Sequence, residues 1–214
     1  GLIRVLHRQH QKLKRRNEFK RLCQANGIVL TVENNLSDLV ILKEIFYDRA
    51  YADYFPFYQH STVLDIGAHK GYFALFCLKN LGPLPHIICV EPYLPHLEIL
   101  RQNLKVNGGD NVRVVETGVA DQSGQAALHL GRSENHSIFS SHSGLLQRPT
   151  SGQTVSVRVQ SLKDLLQSQQ LDRVDFLKMD CEVAEYPALL AADAGTLAKI
   201  RTISLEFHDH KEAR

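Results

Sequence analysis

The chain has 214 residues, 43% of them hydrophobic, and a formal net charge of +2. That is enough apolar material for one sizeable core, and too little net charge for a polyanionic partner, so no nucleic acid is expected. No run of about 18 apolar residues exists to span a membrane, and the basic start lacks the apolar stretch of a leader peptide, so a cytoplasmic protein is expected.

In chain order, residues 1–25 carry Arg4, Arg8, Lys12, Lys14, Arg15, Arg16, Lys20 and Arg21 with Leu2, Leu6, Leu13 and Leu22 between them. This is a basic helix with a solvated face, stopped by Gly27. GIVLTVEN after it is a short strand, and residues 1–35 together form an N-terminal extension to a domain spanning 36–214. Ser37 is the expected N-cap of a helix SDLVILKEIFYDRAY, with Leu39, Leu42, Ile45 and Phe46 on one face. Tyr51, Tyr54, Phe55, Phe57 and Tyr58 follow; such aromatics pack a core, or wall a pocket.

STVLDIGAHKG, residues 61–71, organises the rest. Val63, Leu64 and Ile66 make a buried strand, a glycine-rich turn follows, and GYFALFCLKN is a helix. Gly67 and Gly71 allow a tight turn and close backbone approach to a ligand, and the helix start directs free N–H groups at the same place. Gly82-Pro83-Leu84-Pro85 is a turn. HIICVEP is a second strand ending in Glu91, roughly two dozen residues past the turn, where an acidic side chain in nucleoside-binding folds takes ribose hydroxyls. YLPHLEILRQNLKVNG is an amphipathic helix closed by Asn107 and Gly108. NVRVVETGVA is a third strand, whose Gly118 and Ala120 leave room for a flat ring.

Residues 121–160 form an excursion. QAALHLG and TVSVRVQ alternate as an antiparallel hairpin, and the polar loop Arg132–Gly152 between them is a candidate lid. SLKDLLQSQ is a helix, VDFLKMD a fourth central strand, EVAEYPALLAA a helix, and TISLEFH a fifth strand. Alternating β and α elements with continuously apolar strands mean an α/β fold, a mostly parallel sheet with helices on both faces. Its ligand-binding strand ends collect Asp65, Gly67, His69, Glu91, Gly118, Asp121, Asp180, Glu182, Glu206 and His208. The cysteines (Cys23, Cys77, Cys89, Cys181) are scattered through these elements and read as reduced thiols. The HDH run at 208–210 alternates across a strand, and no metal is expected.

VLDIGAHKGYF resembles the DxGAxxGxF signature of S-adenosylmethionine-dependent methyltransferases. With VEP, TGVADQSG, FLKMDCEVAEY and LEFH, the stretch from about Leu36 to His208 is similar to the FkbM family of that class. The resemblance implies a doubly wound, Rossmann-like class I fold. It also implies an S-adenosylmethionine site at Asp65, Gly67, Ala68, His69, Gly71, Glu91, Gly118, Val119, Asp121 and Asp180. The family usually has Asn where this chain has His69, and Gly where it has Val183, beside the acceptor site. The class also usually adds a hairpin after the fifth strand, so the outer edge is expected to be covered otherwise or the sequence to be trimmed.

The implied reaction is in-line methyl transfer, most simply O-methylation of a small metabolite or sugar. A neutral hydroxyl must lose its proton as it attacks, and Asp180, Glu182 and His208 are the base candidates. Their structural alternatives are a helix cap, a lysine partner and a surface residue. Two rival readings are a non-catalytic protein that binds the same cofactor, and an NAD-linked oxidoreductase. The turn G-A-H-K-G lacks the middle glycine of the dinucleotide motif, which disfavours the latter.

Overall fold

A computed structural model describes residues 2–31, 36–56, 58, 60–82, 85–130, 136–139, 153–181 and 184–206, with side chains described from residue 13 onward except at 136–139. In chain order the elements are α1 (Leu2–Ala25), α2 (Leu36–Phe46), β1 (Thr62–Ile66), α3 (Tyr72–Leu81), β2 (His86–Val90), α4 (Leu94–Val106), β3 (Arg113–Val115), β4 (Gly118–Val119), β5 (Gly124–Leu130), β6 (His136–Phe139), β7 (Gln153–Gln160), α5 (Leu162–Ser168), β8 (Phe176–Met179), α6 (Glu185–Ala191), α7 (Ala194–Leu197) and β9 (Ile203–Leu205). No helix among the described residues is long and apolar enough to cross a membrane.

Five strands form a parallel sheet in the order β3-β2-β1-β8-β9. Strand order therefore reverses between β1 and β8, which opens a crevice at their carboxyl ends. Register places Asp65 of β1 between Cys89 of β2 and Lys178 of β8.

Because strand side chains alternate, the central strands feed two cores. Val63, Ile87, Cys89 and Phe176 face α1 to α4, meeting Phe19, Leu39, Leu42, Phe73 and Leu100. Leu64, Ile66, Ile88, Leu177 and Met179 face the other way, onto Leu162, Leu165 and Leu166 of α5 and Ala188 of α6. The predicted doubly wound α/β sheet is thus the observed one. A second sheet, in the order β4-β7-β5-β6, carries the excursion. Its β5 and β7 pair antiparallel from Gly124↔Val159 to Leu130↔Gln153, as the alternation predicted.

Several local expectations change. Residues 28–31 are not a strand. Val29 and Thr31 N–H groups donate to the side-chain carbonyls of Asn107, just past α4, and Asn103 on α4, so two asparagines replace a sheet ladder. Ser37 lies inside the first turn of α2 rather than capping it. The expected third strand is split: β3 belongs to the main sheet, and β4 turns away to pair with β7. Part of the predicted polar loop, His136–Phe139, is the strand β6 paired to β5; residues 131–135 and 140–152 lie outside the described residues, and with them most of the lid expectation.

The basic extension is bound to the domain, since Phe19, Cys23 and Ile28 belong to the same core as β1 and α3, and Glu18 pairs with Lys43 of α2. Tyr51 and Phe55 pack edge-on against Phe73, and Phe55 also against Phe176, so these two aromatics are core, while Tyr54 and Tyr58 are exposed. The cysteines are free thiols: Cys23, Cys77 and Cys89 are buried and Cys181 is half-buried.

Candidate functional site

A cavity of about 410 Å³ lies over the carboxyl ends of β1, β2, β8 and β9, walled on one side by α2 and on another by β4 and β5. That volume is typical of a small-molecule site.

Its first end is built on the turn after β1. Gly67 and Ala68 donate their N–H groups to the Val90 carbonyl, fastening the turn to β2. His69 then adopts a left-handed conformation with φ 49°, a region that Asn and His enter more readily than most residues. Asn, which the resemblance leads one to expect here, suits the same backbone. This twist aims the His69 N–H at Glu91, which accepts from it at 2.9 Å through one carboxylate oxygen and from the Tyr93 N–H at 2.9 Å through the other. Glu91 is only 6% exposed. Beside it stand His96, 3.7 Å away through Nδ1, and the His69 ring, 4.1 Å from that of His96. Thr117, Gly118, Val119 and Leu128 close this end with small and apolar surface.

The second end is organised by Lys178. Its ammonium lies 3.2 Å from Asp65, 3.6 Å from Asp180 and 3.3 Å from the Gly67 carbonyl, above the Tyr51 ring at 5.5 Å. A lysine on a buried strand is tolerable only when paired, and here Asp65, fully buried, is the neighbouring residue in register. Burial works against charge on the ammonium, but Asp65 and then Asp180 outweigh it and hold Lys178 protonated well above its ordinary value. Burial pushes the Asp65 carboxyl up, and Lys178 opposes this. Glu44 of α2 and Tyr51 face the same end. Burial and then Asp180 raise the Glu44 carboxyl; burial also raises the Tyr51 hydroxyl. Glu185 accepts from the Cys181 N–H at 2.7 Å, fixing the chain just past Asp180.

Of the sequence-predicted residues, Gly67, Ala68, His69, Glu91, Gly118, Val119 and Asp180 all line this cavity. Three do not. Asp65 lies beneath the floor as the partner of Lys178, so it is not an acceptor for a ligand group. Gly71 is the left-handed N-cap of α3, its missing Cβ making room for Leu100. Asp121 lies past β4, outside the lining. The expectation that Gly67 is glycine to admit a ligand is also corrected: a Cβ there would come 1.8 Å from the Asp180 carbonyl oxygen, so the clearance serves the β1–β8 closure. Asp180 is not a helix cap, since Ala184 holds that position before α6. Glu182, Val183 and His208 lie outside the described residues.

Four residues of the neighbourhood escaped sequence reasoning. Lys178 was visible as the one charge inside an apolar strand. Glu44 sits one helical turn past Val40 and Ile41 on the stripe of α2 that lines the cavity. Asp38 and Lys70, a buried pair at 2.9 Å, bring α2 to the glycine turn. Nothing local in the sequence announced that pairing.

A family model described as the methyltransferase FkbM domain matches residues 65–214. The chain is 27% identical over 207 residues to the AMB antimetabolite synthetase AmbE of Pseudomonas aeruginosa, a match that covers 80% of this chain and 10% of the synthetase; the chain thus corresponds to about a tenth of that relative. It is 25% identical over 213 residues to the 31-O-demethyl-FK506 methyltransferase FkbM of Streptomyces tacrolimicus, covering 86% of this chain and 80% of that protein. A solved structure of the methyltransferase FkbM from Methylobacillus flagellatus KT aligns with 85% of this chain and 45% of its own length, at 16% identity and a TM-score of 0.43.

Proposed function

The chain belongs to the methyltransferase FkbM family, and from that premise we propose that it moves a methyl group from S-adenosylmethionine to a hydroxyl of a small molecule or sugar. The observation that carries this reading is Glu91. Its carboxylate is held by two backbone N–H groups at the rim of the crevice, and a carboxylate has acceptor capacity for about four hydrogen bonds. Capacity therefore remains for ribose hydroxyls. The donor and acceptor set fits the cofactor: an acidic shelf at one end, flat small-residue surface at Gly118 and Val119, and the Asp180 carboxylate beyond them for a cationic group.

In this reading Glu91 takes the ribose hydroxyls, while Gly67, Ala68 and His69 border the chain that follows. Asp180 faces the amino group, and Lys178 keeps Asp180 and the Gly67 turn in register. Asp65 acts only through Lys178. The cofactor supplies a methyl group activated on a sulfonium. The protein supplies alignment and exclusion of water, which in well-oriented reactions is worth about 7–11 kcal/mol of the barrier. The oxygen nucleophile is suggested by the relative named for a 31-O-demethyl substrate. Of the base candidates at the strand ends, Asp180 lies inside the cavity, and Glu182 and His208 lie beyond the described residues.

The reading is tested by calorimetry with S-adenosylmethionine and with NAD, followed by a methyl-transfer screen over hydroxylated acceptors. Binding of the first without the second, and transfer to oxygen, is the expected result. NAD binding, or absence of any S-adenosylmethionine binding, would refute it.

A further inference from the structure

We propose that Glu44, on α2, accepts the proton that the acceptor hydroxyl loses. This rests on the methyl-transfer reading above, and it moves the base from the strand ends, where the motif led one to look, to a helix that precedes the motif.

If Glu91 marks the nucleoside end of the cavity, the acceptor must enter from the opposite end, bounded by Lys178, Asp180, Glu206, Tyr51 and α2. From α2 the cavity receives Leu36, Ser37, Val40, Ile41, Glu44 and Ile45, so Glu44 is its only ionisable contribution. Asp38, also on α2, is turned away and committed to Lys70. The other acids are less suited. Glu206, just past β9, is exposed to solvent. Asp180 already shares the Lys178 ammonium at 3.6 Å, and Asp65 is sealed under the floor. Tyr51 carries a hydroxyl whose ionisation burial suppresses, so it is a neutral phenol and a poor base. The charged groups facing Glu44 are Asp180 and Lys178 from β8 and Asp48 from just past α2. Burial and the two aspartates raise its affinity for a proton while Lys178 opposes them, a bias that moves a carboxylate toward the working pH of a general base.

The step balances. The acceptor oxygen forms a bond to the methyl carbon as the carbon–sulfur bond breaks. The electron pair of that bond stays on sulfur, which becomes a neutral thioether, and the hydroxyl proton passes to the Glu44 carboxylate.

Glu44→Gln in the full chain is the test, with methyl transfer from labelled S-adenosylmethionine to catechol, methyl glucoside and glycerol. Expected are cofactor affinity within about twofold of wild type, turnover lowered about 10²–10⁴-fold and loss of the rise in rate with pH. Glu44→Asp should restore part of the rate. Independently of turnover, the Glu44 carboxyl carbon, assigned by its absence in the variant, should titrate above the ordinary glutamate value in carbon NMR. Titration at or below that value, or Glu44→Gln turnover within threefold of wild type, overturns the role of Glu44 alone. Wild-type protein that neither binds S-adenosylmethionine nor methylates any of the three acceptors overturns the methyl-transfer reading, and Glu44 with it.

Discussion

Replacing Lys178 by methionine keeps the aliphatic stem and removes only the ammonium that lies 3.2 Å from Asp65. Asp65 is 0% exposed, so its charge is left without a partner in the interior. Removing one member of a buried pair costs about 3–5 kcal/mol, chiefly for the charge left behind. In a protein of this size each kcal/mol moves Tm by about 2–4 °C, giving a fall of roughly 6–20 °C. The pH dependence has a definite sign. Burial raises the Asp65 carboxyl above its unfolded value, so without Lys178 the folded state binds a proton more readily than the unfolded chain. The loss is then largest at neutral and alkaline pH and shrinks on acidification through the raised value. Asp65→Asn combined with Lys178→Met strands no fully buried charge, only the part-exposed Asp180, and should recover much of the stability, with a coupling of about 0.5–3 kcal/mol. Urea unfolding of the two single variants and the double variant at several pH values measures all three quantities. A Lys178→Met protein within about 1 kcal/mol of wild type, or effects that simply add, would show that the pair does not carry the floor of the cavity.

Glu91→Ala should weaken S-adenosylmethionine binding by about 1–3 kcal/mol in calorimetry, the worth of charge-assisted hydrogen bonds; unchanged affinity would put the ribose elsewhere. Gly67→Ala places a Cβ 1.8 Å from the Asp180 carbonyl at φ +76°, and should destabilise the protein by at least about 1–3 kcal/mol in denaturant even without ligand. Wild-type stability with lost binding would return Gly67 to a ligand-clearance role. Phe19→Ala empties a site 7% exposed and should cost about 3–5 kcal/mol; a negligible effect on urea unfolding would detach α1 from the core. Glu44→Gln should stabilise the fold at neutral pH, because a carboxyl raised in the folded state opposes folding once ionised. That gain should vanish as pH falls below the unfolded value, and a pH-independent difference would contradict it.

The order of α and β elements, the glycine turn, the acidic end of β2 and the antiparallel hairpin could be read from the chain, because each is written in a short period or a local spacing. Periodicity placed Val63, Leu64, Ile66 and the β2 run in buried strands, and the same pattern made the sheet parallel. What it could not show is which strand end meets which helix. Asp65 sits at the motif's most recognisable position, yet its carboxylate points under the floor because β8 delivers Lys178 to the neighbouring register. Gly67 reads as a ligand glycine, yet the Asp180 carbonyl, more than a hundred residues later in the chain, is what forbids its side chain. Likewise Glu44 and Asp38 both belong to α2 but end in different company, one lining the cavity and the other buried against Lys70. By itself the sequence determined the strand-turn-helix on which the proposed nucleoside site is built, since those contacts are local. Only the tertiary structure decided which carboxylates are open to a substrate and which are spent on the protein, because burial and pairing across the sheet depend on residues far apart in the chain.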